Sequence, residues 1–175
     1  MESVLDRPSV QRVREALDRG GIGSAITVLD DSSRSAAEAA AALGVDVGQI
    51  ASSIVFRLSS DVPLLVITSG RHRVDVQLVA REIGVPELTR ADAQYVKARS
   101  GFSIGGVSPV GWLAPASVEE TVGDRNGEVT VILDEVLAEY DVVWAAGGHP
   151  HAVFPATFDE LRRITGAHVM KVASD

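Results

Sequence analysis

The sequence has no cysteine among its 175 residues. This absence excludes a disulfide framework, a thiol nucleophile and any metal centre built on cysteine ligands. Long apolar runs are also missing, and the first 20 residues carry several arginine and aspartate side chains. The sequence therefore predicts neither a signal peptide nor a membrane-spanning helix, and we expect a cytoplasmic protein without a membrane partner.

Sequence motifs that bind cofactors are missing as well. No Gly-x-Gly-x-x-Gly segment follows a predicted strand and opens a helix, and there is no Walker-type loop, so a nucleotide site is unsupported. The four histidines, His72, His149, His151 and His168, do not have the spacing of a zinc site. We therefore expect no cofactor and no metal.

Basic residues are few. The chain has 16 Lys and Arg against 24 Asp and Glu, which gives a net charge of −8 at pH 7. A protein that holds a long stretch of nucleic acid shows a basic face. The local basic clusters here are Arg71 with Arg73, Lys97 with Arg99, and Arg162 with Arg163. Any contact with nucleic acid should therefore be small, weak and sensitive to salt.

Length and composition favour one globular domain, because 46% of the residues are hydrophobic and 23% are charged. We predict a single domain over residues 1–175, with an N-terminal helix over 9–19 as an appendage. Further helices are predicted over 36–43, 75–83 and 158–164, and another begins at Thr89 or Asp92 and ends at Gly101. Strands are predicted over 25–29, 50–58, 63–68, 102–104, 129–133, 142–145 and 168–172. The predicted fold class is α/β, a single domain with a curved mixed β-sheet surrounded by short helices.

Two glycine-led loops are the most informative feature that is present. They are Gly105-Gly106-Val107-Ser108-Pro109-Val110-Gly111 and Gly147-Gly148-His149-Pro150-His151. Each follows a predicted strand. Paired glycines let a backbone or a ligand approach closely, and the proline stiffens the exit from the loop. We expect the two loops to converge on one shallow pocket lined by main-chain N–H groups.

One segment matches the nucleophile elbow of serine hydrolases letter for letter: Gly101-Phe102-Ser103-Ile104-Gly105. That motif requires a strand that turns sharply into a helix. Here a helix is predicted before the segment and a strand after it. The match therefore favours an ordinary turn over a catalytic serine.

Five pieces of the sequence, taken in order, resemble the YbaK/prolyl-tRNA-synthetase-associated editing-domain family. They are residues 36–43, 49–56 and 70–75 and the two glycine loops, so the resemblance spans roughly residues 24–172. It implies the fold of that family and a trans-editing deacylase, which hydrolyses the ester of a mischarged small amino acid on tRNA, with a tRNA of the proline type as substrate. The implied partners are the acceptor end of aminoacyl-tRNA and an aminoacyl-tRNA synthetase, and the protein would be a monomer or a homodimer.

The resemblance also assigns a candidate site, with one departure. Ser52 stands where the family has a lysine, and a serine lacks the ammonium group that would stabilise an oxyanion or a phosphate. The implied catalytic residues are Ser52, Gly105, Gly106 and Gly148, with Ser52 within side-chain reach of the pocket. The implied substrate-binding residues are Ser53, Arg71, His72, Ser108, Pro109, Gly147, His149 and Pro150.

Several alternatives stay open at this point. Ser108 can bind a ligand or cap its own turn, and His149 can donate to a substrate or lie on a surface turn. Because the lysine is absent, the domain can instead be a catalytically weakened or inactive binding module. A small-molecule ester or amide hydrolase is the third alternative. The chemistry of the first hypothesis needs no side-chain nucleophile, since an aminoacyl ester is already activated and main-chain N–H groups can stabilise its oxyanion.

Overall fold

A mixed β-sheet lies at the centre of the molecule, and helices cover both of its faces. The computed structural model describes residues 3–23, 25–30, 35–59, 61–113 and 129–174. In these ranges the helices are α1 Pro8–Arg19, α2 Ala36–Leu43, α3 Val76–Ile83, α4 Ala93–Ser100 and α5 Phe158–Thr165. The strands are β1 Thr27–Val28, β2 Ile50–Leu58, β3 Pro63–Ser69, β4 Leu88–Arg90, β5 Thr130–Asp134, β6 Val143–Ala146, β7 Ala152–Ala156 and β8 His168–Met170.

The order of strands across the sheet is β1-β7-β6-β2-β3-β5-β8. The central strand β3 pairs antiparallel with β2 and parallel with β5. It reads as a continuous apolar run, and Leu64, Leu65, Val66 and Ile67 are all buried, because a central strand packs on both faces. The sheet therefore separates two apolar cores.

The outer edge of β2 is shared by two different strands, which creates a gap. β6 pairs in parallel with Ile50 and Ala51, whereas β4 pairs antiparallel with residues 56–58. Residues 52–54 lie between these two ladders and have no strand partner on that edge within the described part of the chain. This gap is where the candidate site lies.

The N-terminal helix, which was expected to be an appendage, packs into the larger core. Val10, Val13 and Leu17 repeat at helical spacing, and each is no more than 1% exposed. Val13 and Leu17 contact the same core as Phe102 and Phe154. Helix α1 is therefore held by the apolar face that its sequence predicts.

The α/β fold class and the mixed sheet with surrounding helices are confirmed. Short-range signals explain why the helices were predictable. Ser35 with Glu38 and Thr157 with Glu160 each form a capping box at the start of a helix. Glycines with φ between 65° and 82° end α2, α3, α4 and α5.

One predicted strand is absent, and two observed strands were not predicted. Residues 102–104 form no strand, because Gly101 ends α4 in a left-handed conformation and Gly106 N donates to Ser103 O in a turn. The first glycine loop therefore follows a helix end and not a strand. The short strand β4 and the strand β7 were not predicted. In β7, Pro155 is tolerated because β1 pairs only with Ala152 and Val153, so no strand lies beyond the proline on that edge.

Within these same ranges, none of the helices combines the length and the apolar character needed to span a bilayer. The described residues also contain no group of three or more His, Asp or Glu side chains arranged to hold a metal ion.

Candidate active site

The two glycine loops touch through their backbones. A Cβ atom on Gly106 would lie 2.8 Å from both Cα and C of His149 and 2.9 Å from N of Pro150. Only glycine permits so close an approach. Pro150 also lies across from Gly105, whose Cβ would be 3.8 Å from the proline Cγ. The two loops therefore meet, as predicted, and that they line one shared pocket stays a prediction.

Helix α1 forms the platform below both loops. Ser9 Oγ donates a 2.7 Å hydrogen bond to the carbonyl oxygen of Gly148, whose φ of 100° excludes most other residues. Arg12 donates to the carbonyl oxygens of Gly111 and Gly101 at 3.0 and 3.1 Å, so it joins both ends of the segment that carries the first loop. Its guanidinium also stacks over the Phe102 ring at 5.0 Å. Burial lowers the pKa of Arg12.

The four site glycines differ in their free amide groups. The amides of Gly106 and Gly147 already donate to Ser103 O and Ala152 O, at 2.9 and 2.6 Å. The amides of Gly105 and Gly148 donate to no acceptor in the described part of the chain. Gly105 is exposed, so its N–H group can meet a ligand, whereas Gly148 is buried against α1 and Gly106 serves close packing.

A small cavity lies between the first loop and the gap in β2. Its volume is about 30 Å³, and Ser53, Arg90 and Gly105 line it together with apolar side chains such as Val96 and Val107. The hydroxyl oxygen of Ser53 is buried there and has no hydrogen-bond partner within the described ranges. A buried hydroxyl without a partner costs free energy, which makes this wall a good place for a polar ligand atom.

The second loop begins beside the same gap. Strand β6 runs parallel to β2 with Ile50 opposite Trp144 and Ala51 opposite Ala145. The gap begins at Ser52, directly after this short ladder, and the second loop begins at Gly147, directly after β6. Ser52 precedes Ser53 and pairs with Thr68 on the other side of β2. Because side chains alternate along a strand, Ser52 faces the side of the sheet opposite to Ser53, and Ser53 is the serine that lines the cavity.

His149 is oriented by its own loop. The backbone N–H of His151 donates to Nδ1 of His149 at 3.1 Å. Since Nδ1 accepts this bond, the neutral ring carries its proton on Nε2, and that nitrogen is a donor. The ring is half-buried and tilts against that of His151, with 5.4 Å between centroids. The His149 ring is therefore held by its own loop, next to Gly148.

Ser108 and Pro109 are buried inside the first loop. The Ser108 hydroxyl accepts from Val110 N at 3.3 Å, and its carbonyl oxygen accepts from Trp112 Nε1 at 2.8 Å. Of the two roles that the sequence left open for Ser108, the structure shows the turn cap, since the residue has 0% exposure. Pro109 faces a different cavity, of about 440 Å³, which Ile164 of α5 also lines. Both residues therefore shape the loop.

Arg71 and His72 are engaged elsewhere and do not line the small cavity. Arg71 donates to the Tyr140 hydroxyl at 3.0 Å and to Glu139 at 3.3 Å. His72 Nδ1 lies 2.9 Å from Oδ2 of Asp134, a fully buried carboxylate that also accepts from the backbone N–H of Ser69. The His72 side chain is only 9% exposed.

Sequence reasoning missed Arg90, which lies on the wall of the cavity. It ends β4, which was not predicted because a helix was expected to begin at Thr89 or Asp92. The buried Leu88 between exposed neighbours was the available signal for a short edge strand.

The comparisons with known proteins agree with this geometry. A family model described as the aminoacyl-tRNA editing domain matches residues 30–164. The chain belongs to the aminoacyl-tRNA editing-domain family. The resemblance to YbaK-like editing domains is thereby confirmed, and family membership supports a deacylase role and interaction with tRNA in general.

Relatives of similar length cover nearly the whole chain. A solved structure described as a candidate trans-editing enzyme for prolyl tRNA synthetase is 39% identical, with a TM-score of 0.83 over 97% of this chain and 99% of its own. Another, from a study of computational epitope grafting on scaffold proteins, is 40% identical, with a TM-score of 0.83 over 96% of this chain and 99% of its own. The Bacillus subtilis (strain 168) uncharacterized protein YwhH is 26% identical over 92% of this chain and 94% of its own length.

Proposed function

We propose that this editing domain is a trans-editing aminoacyl-tRNA deacylase, which hydrolyses the ester of a mischarged small amino acid on a tRNA of the proline type. One observation carries the proposal: the two glycine loops meet, and the first of them lines a small cavity with Gly105, whose N–H group donates to no acceptor in the described part of the chain. The editing-domain family membership gives this arrangement its substrate class. The solved relative described as a candidate trans-editing enzyme for prolyl tRNA synthetase suggests the tRNA.

The reaction needs donors at the place where negative charge develops. Water adds to the ester carbonyl, the carbonyl oxygen becomes an oxyanion, and the C–O bond to the ribose then breaks with proton transfer to the ribose oxygen. The Gly105 and Gly148 amides are the donors that we assign to the oxyanion and the ester. A well-placed donor of this kind contributes about 2.7–4 kcal/mol to the transition state. The vicinal ribose hydroxyl of the substrate orients the water.

The size of the cavity sets the side chain that can enter. A volume of about 30 Å³ has room for roughly two probe-sized groups, so it suits an amino acid with a very short side chain. Each additional methylene is disfavoured by about 1–3 kcal/mol. Ser53 supplies the polar atom on the cavity wall, and Ser52 leaves the free edge of β2 uncharged.

The direct test is deacylation of a proline-type tRNA that carries alanine, serine or a larger residue. We expect release of the small amino acids above the rate in buffer and no release of leucine. A matched ester of the same amino acid without RNA should react slowly, because the acceptor end positions the substrate. Equal turnover of that ester would favour a small-molecule hydrolase, and no turnover of any aminoacyl-tRNA would contradict the proposal.

A second candidate is a binding module of the same family. The observation that favours it is Ser52, an uncharged residue at a position where the family resemblance implies a lysine. This candidate predicts that the protein binds aminoacyl-tRNA and protects the ester from spontaneous hydrolysis. Protection and catalysis change the rate of ester loss in opposite directions, so the same assay separates them.

A further inference from the structure

We propose that the Ser53 hydroxyl selects the amino acid, so that a seryl ester is the preferred substrate and the smaller alanyl ester is a poor one. This inference rests on the proposed function and deepens it, because it names the side chain that the cavity accepts. It depends on a hydrogen bond inside the cavity, since exclusion by size alone cannot favour the larger of two side chains.

Ser53 is a polar residue on an apolar face of β2. Because side chains alternate along a strand, Ser53 shares its face with Ala51 and Val55, and both of these belong to the larger core. Across the ladder with β3 it pairs with Ile67, which is fully buried in the same core. Apolar side chains are the usual occupants of such a position. The hydroxyl therefore lies where only a polar partner can offset its loss of water.

No described residue provides that partner. Other buried serines are engaged within the fold, since Ser69 Oγ donates to Gly48 O at 2.7 Å and Ser100 Oγ donates to Val96 O at 2.6 Å. Among the described side chains, Ser53 Oγ is the one buried oxygen that has no hydrogen-bond partner. Native proteins pair nearly all of their buried polar groups, so an exception that lines a cavity indicates a place for a ligand atom.

The other side chains of the cavity wall offer no competing hydrogen bond. Apart from Arg90 they are apolar, and Val96 and Val107 are among them. Arg90 pairs with Phe56, whose side chain lies in the other core, so the Arg90 side chain leaves β4 on the other face of the sheet. Among the described lining residues, Ser53 is therefore the one whose side chain can form a hydrogen bond with a ligand inside the cavity.

Volume and hydrogen bonding together distinguish between the small amino acids. About 30 Å³ holds roughly one or two groups of the size of a water molecule, so the side chains of alanine and serine both enter. A bound alanyl group fills the space with a methyl and leaves Ser53 Oγ without a partner. The hydroxyl of a bound seryl group completes the hydrogen bond. A site whose buried polar group pairs with a substrate hydroxyl discriminates against the analogue that lacks it.

The first test compares seryl and alanyl esters on the same proline-type tRNA, each corrected for its rate of hydrolysis in buffer. We expect the kcat/KM of the wild type to favour serine about tenfold, the effect of one hydrogen bond. Ser53→Ala should lower the seryl value to that of the alanyl ester and leave the alanyl value within about twofold. It should not lower the denaturant midpoint, because the hydroxyl makes no bond within the described fold. Ser59→Ala removes an exposed hydroxyl from a turn outside the site and should change neither value.

Binding of a stable analogue separates this inference from the deacylase proposal. The probe is an acceptor-stem hairpin RNA that carries serine or alanine at its 3′ end through an amide in place of the ester. The wild type should bind the seryl hairpin about tenfold more tightly than the alanyl hairpin, and Ser53→Ala should abolish the difference. Equal binding of the two hairpins, a preference that survives Ser53→Ala, or no measurable binding of either would each overturn the inference.

The combined outcomes identify which proposal fails. If the preference for serine depends on Ser53 but no ester is hydrolysed, the selectivity stands and the deacylase proposal fails. If both esters are hydrolysed at equal corrected rates, the deacylase proposal stands and the assignment of Ser53 fails.

Discussion

Ser9 donates its hydroxyl proton to the carbonyl oxygen of Gly148 at 2.7 Å, and this bond joins the first helix to the second glycine loop across 139 positions of the chain. Gly148 fits tightly there, because a Cβ atom on it would lie 2.6 Å from the Ser9 carbonyl oxygen. The loop that offers a free amide to the ligand is therefore positioned from outside the segment that carries the loops. This relationship leads to the first prediction.

Ser9→Ala should loosen the second loop more than it destabilises the fold. Loss of one hydrogen bond should lower the free energy of unfolding by about 1 kcal/mol, as measured by urea denaturation. Deacylation should fall further, by about tenfold, because an oxyanion donor shifts. Ser103→Ala is the matched control, since Ser103 is an exposed serine in the first-loop segment. If Ser103→Ala abolishes activity and Ser9→Ala does not, Ser103 is a nucleophile and our interpretation of the elbow-like motif is wrong.

Gly106→Val should abolish deacylation. Its Cβ would lie within 2.9 Å of backbone atoms of His149 and Pro150, which cannot move as a flexible side chain can. The loops must then separate, at a cost of about 1–3 kcal/mol in stability. Gly23→Val is the control, because a Cβ there meets nothing within 4 Å and the backbone has no positive φ. Activity retained by Gly106→Val would mean that contact between the loops is unnecessary for the reaction.

Ser52→Lys tests the family departure. Ser52 lies at the free edge of β2 and faces away from the cavity, so a lysine there acts on the ester only if its long side chain reaches round that edge. In that case the substitution should raise the rate of deacylation by about 10²–10³, the effect of an oxyanion-stabilising group in a partly dry site. Adding Gly106→Val should remove the gain. Ser59→Lys adds the same charge at an exposed turn and should change little. If the wild type already deacylates its substrate rapidly and Ser52→Lys slows the reaction, serine is the functional residue of this chain at position 52.

Asp134→Asn should destabilise the protein by about 3 kcal/mol or more. The carboxylate is fully buried and accepts bonds from His72 Nδ1 at 2.9 Å, Ser69 N at 2.9 Å and Val136 N at 3.1 Å, and an amide would direct its own N–H groups at one or more of these donors. Denaturant midpoints measure the change. Glu139→Gln, which removes the exposed partner of Arg71, should cost less than about 1 kcal/mol. Equal effects of the two substitutions would show that the His72–Asp134 pair contributes little to folding.

Local signals made most of the fold predictable, and pairing across the sheet limited the rest. The capping serine of α2 and the glycine that ends the helix lie in one short segment, so the local sequence is enough to predict where α2 begins and ends. Strand β4 has three residues, of which two are exposed, and its partner β2 lies more than 30 positions earlier. Such a strand forms because the edge of β2 is available to pair with it. The sequence of a three-residue segment does not show that this edge will be there.

The candidate site, like the fold, was only partly predictable from the sequence. The glycine loops could be located from the sequence, since their conformations and their close approach require glycine. The different surroundings of Ser52 and Ser53 could not, because the strand register decides which of two adjacent serines faces the cavity. Arg90 was missed for a related reason. Its place beside Gly105 depends on two elements that meet only after the sheet has formed.

The gap in β2 also bears on the behaviour of the sheet in solution. Exposed strand edges invite pairing with other chains, and long ones promote aggregation. The free stretch at 52–54 is three residues long, and ladders with β6 and β4 bound it on both sides. That length can offer main-chain hydrogen bonds to one aminoacyl group, but it is too short to accept a strand from another molecule. This stretch of β2, which has no partner on that edge among the described residues, therefore gives another molecule little edge to pair with.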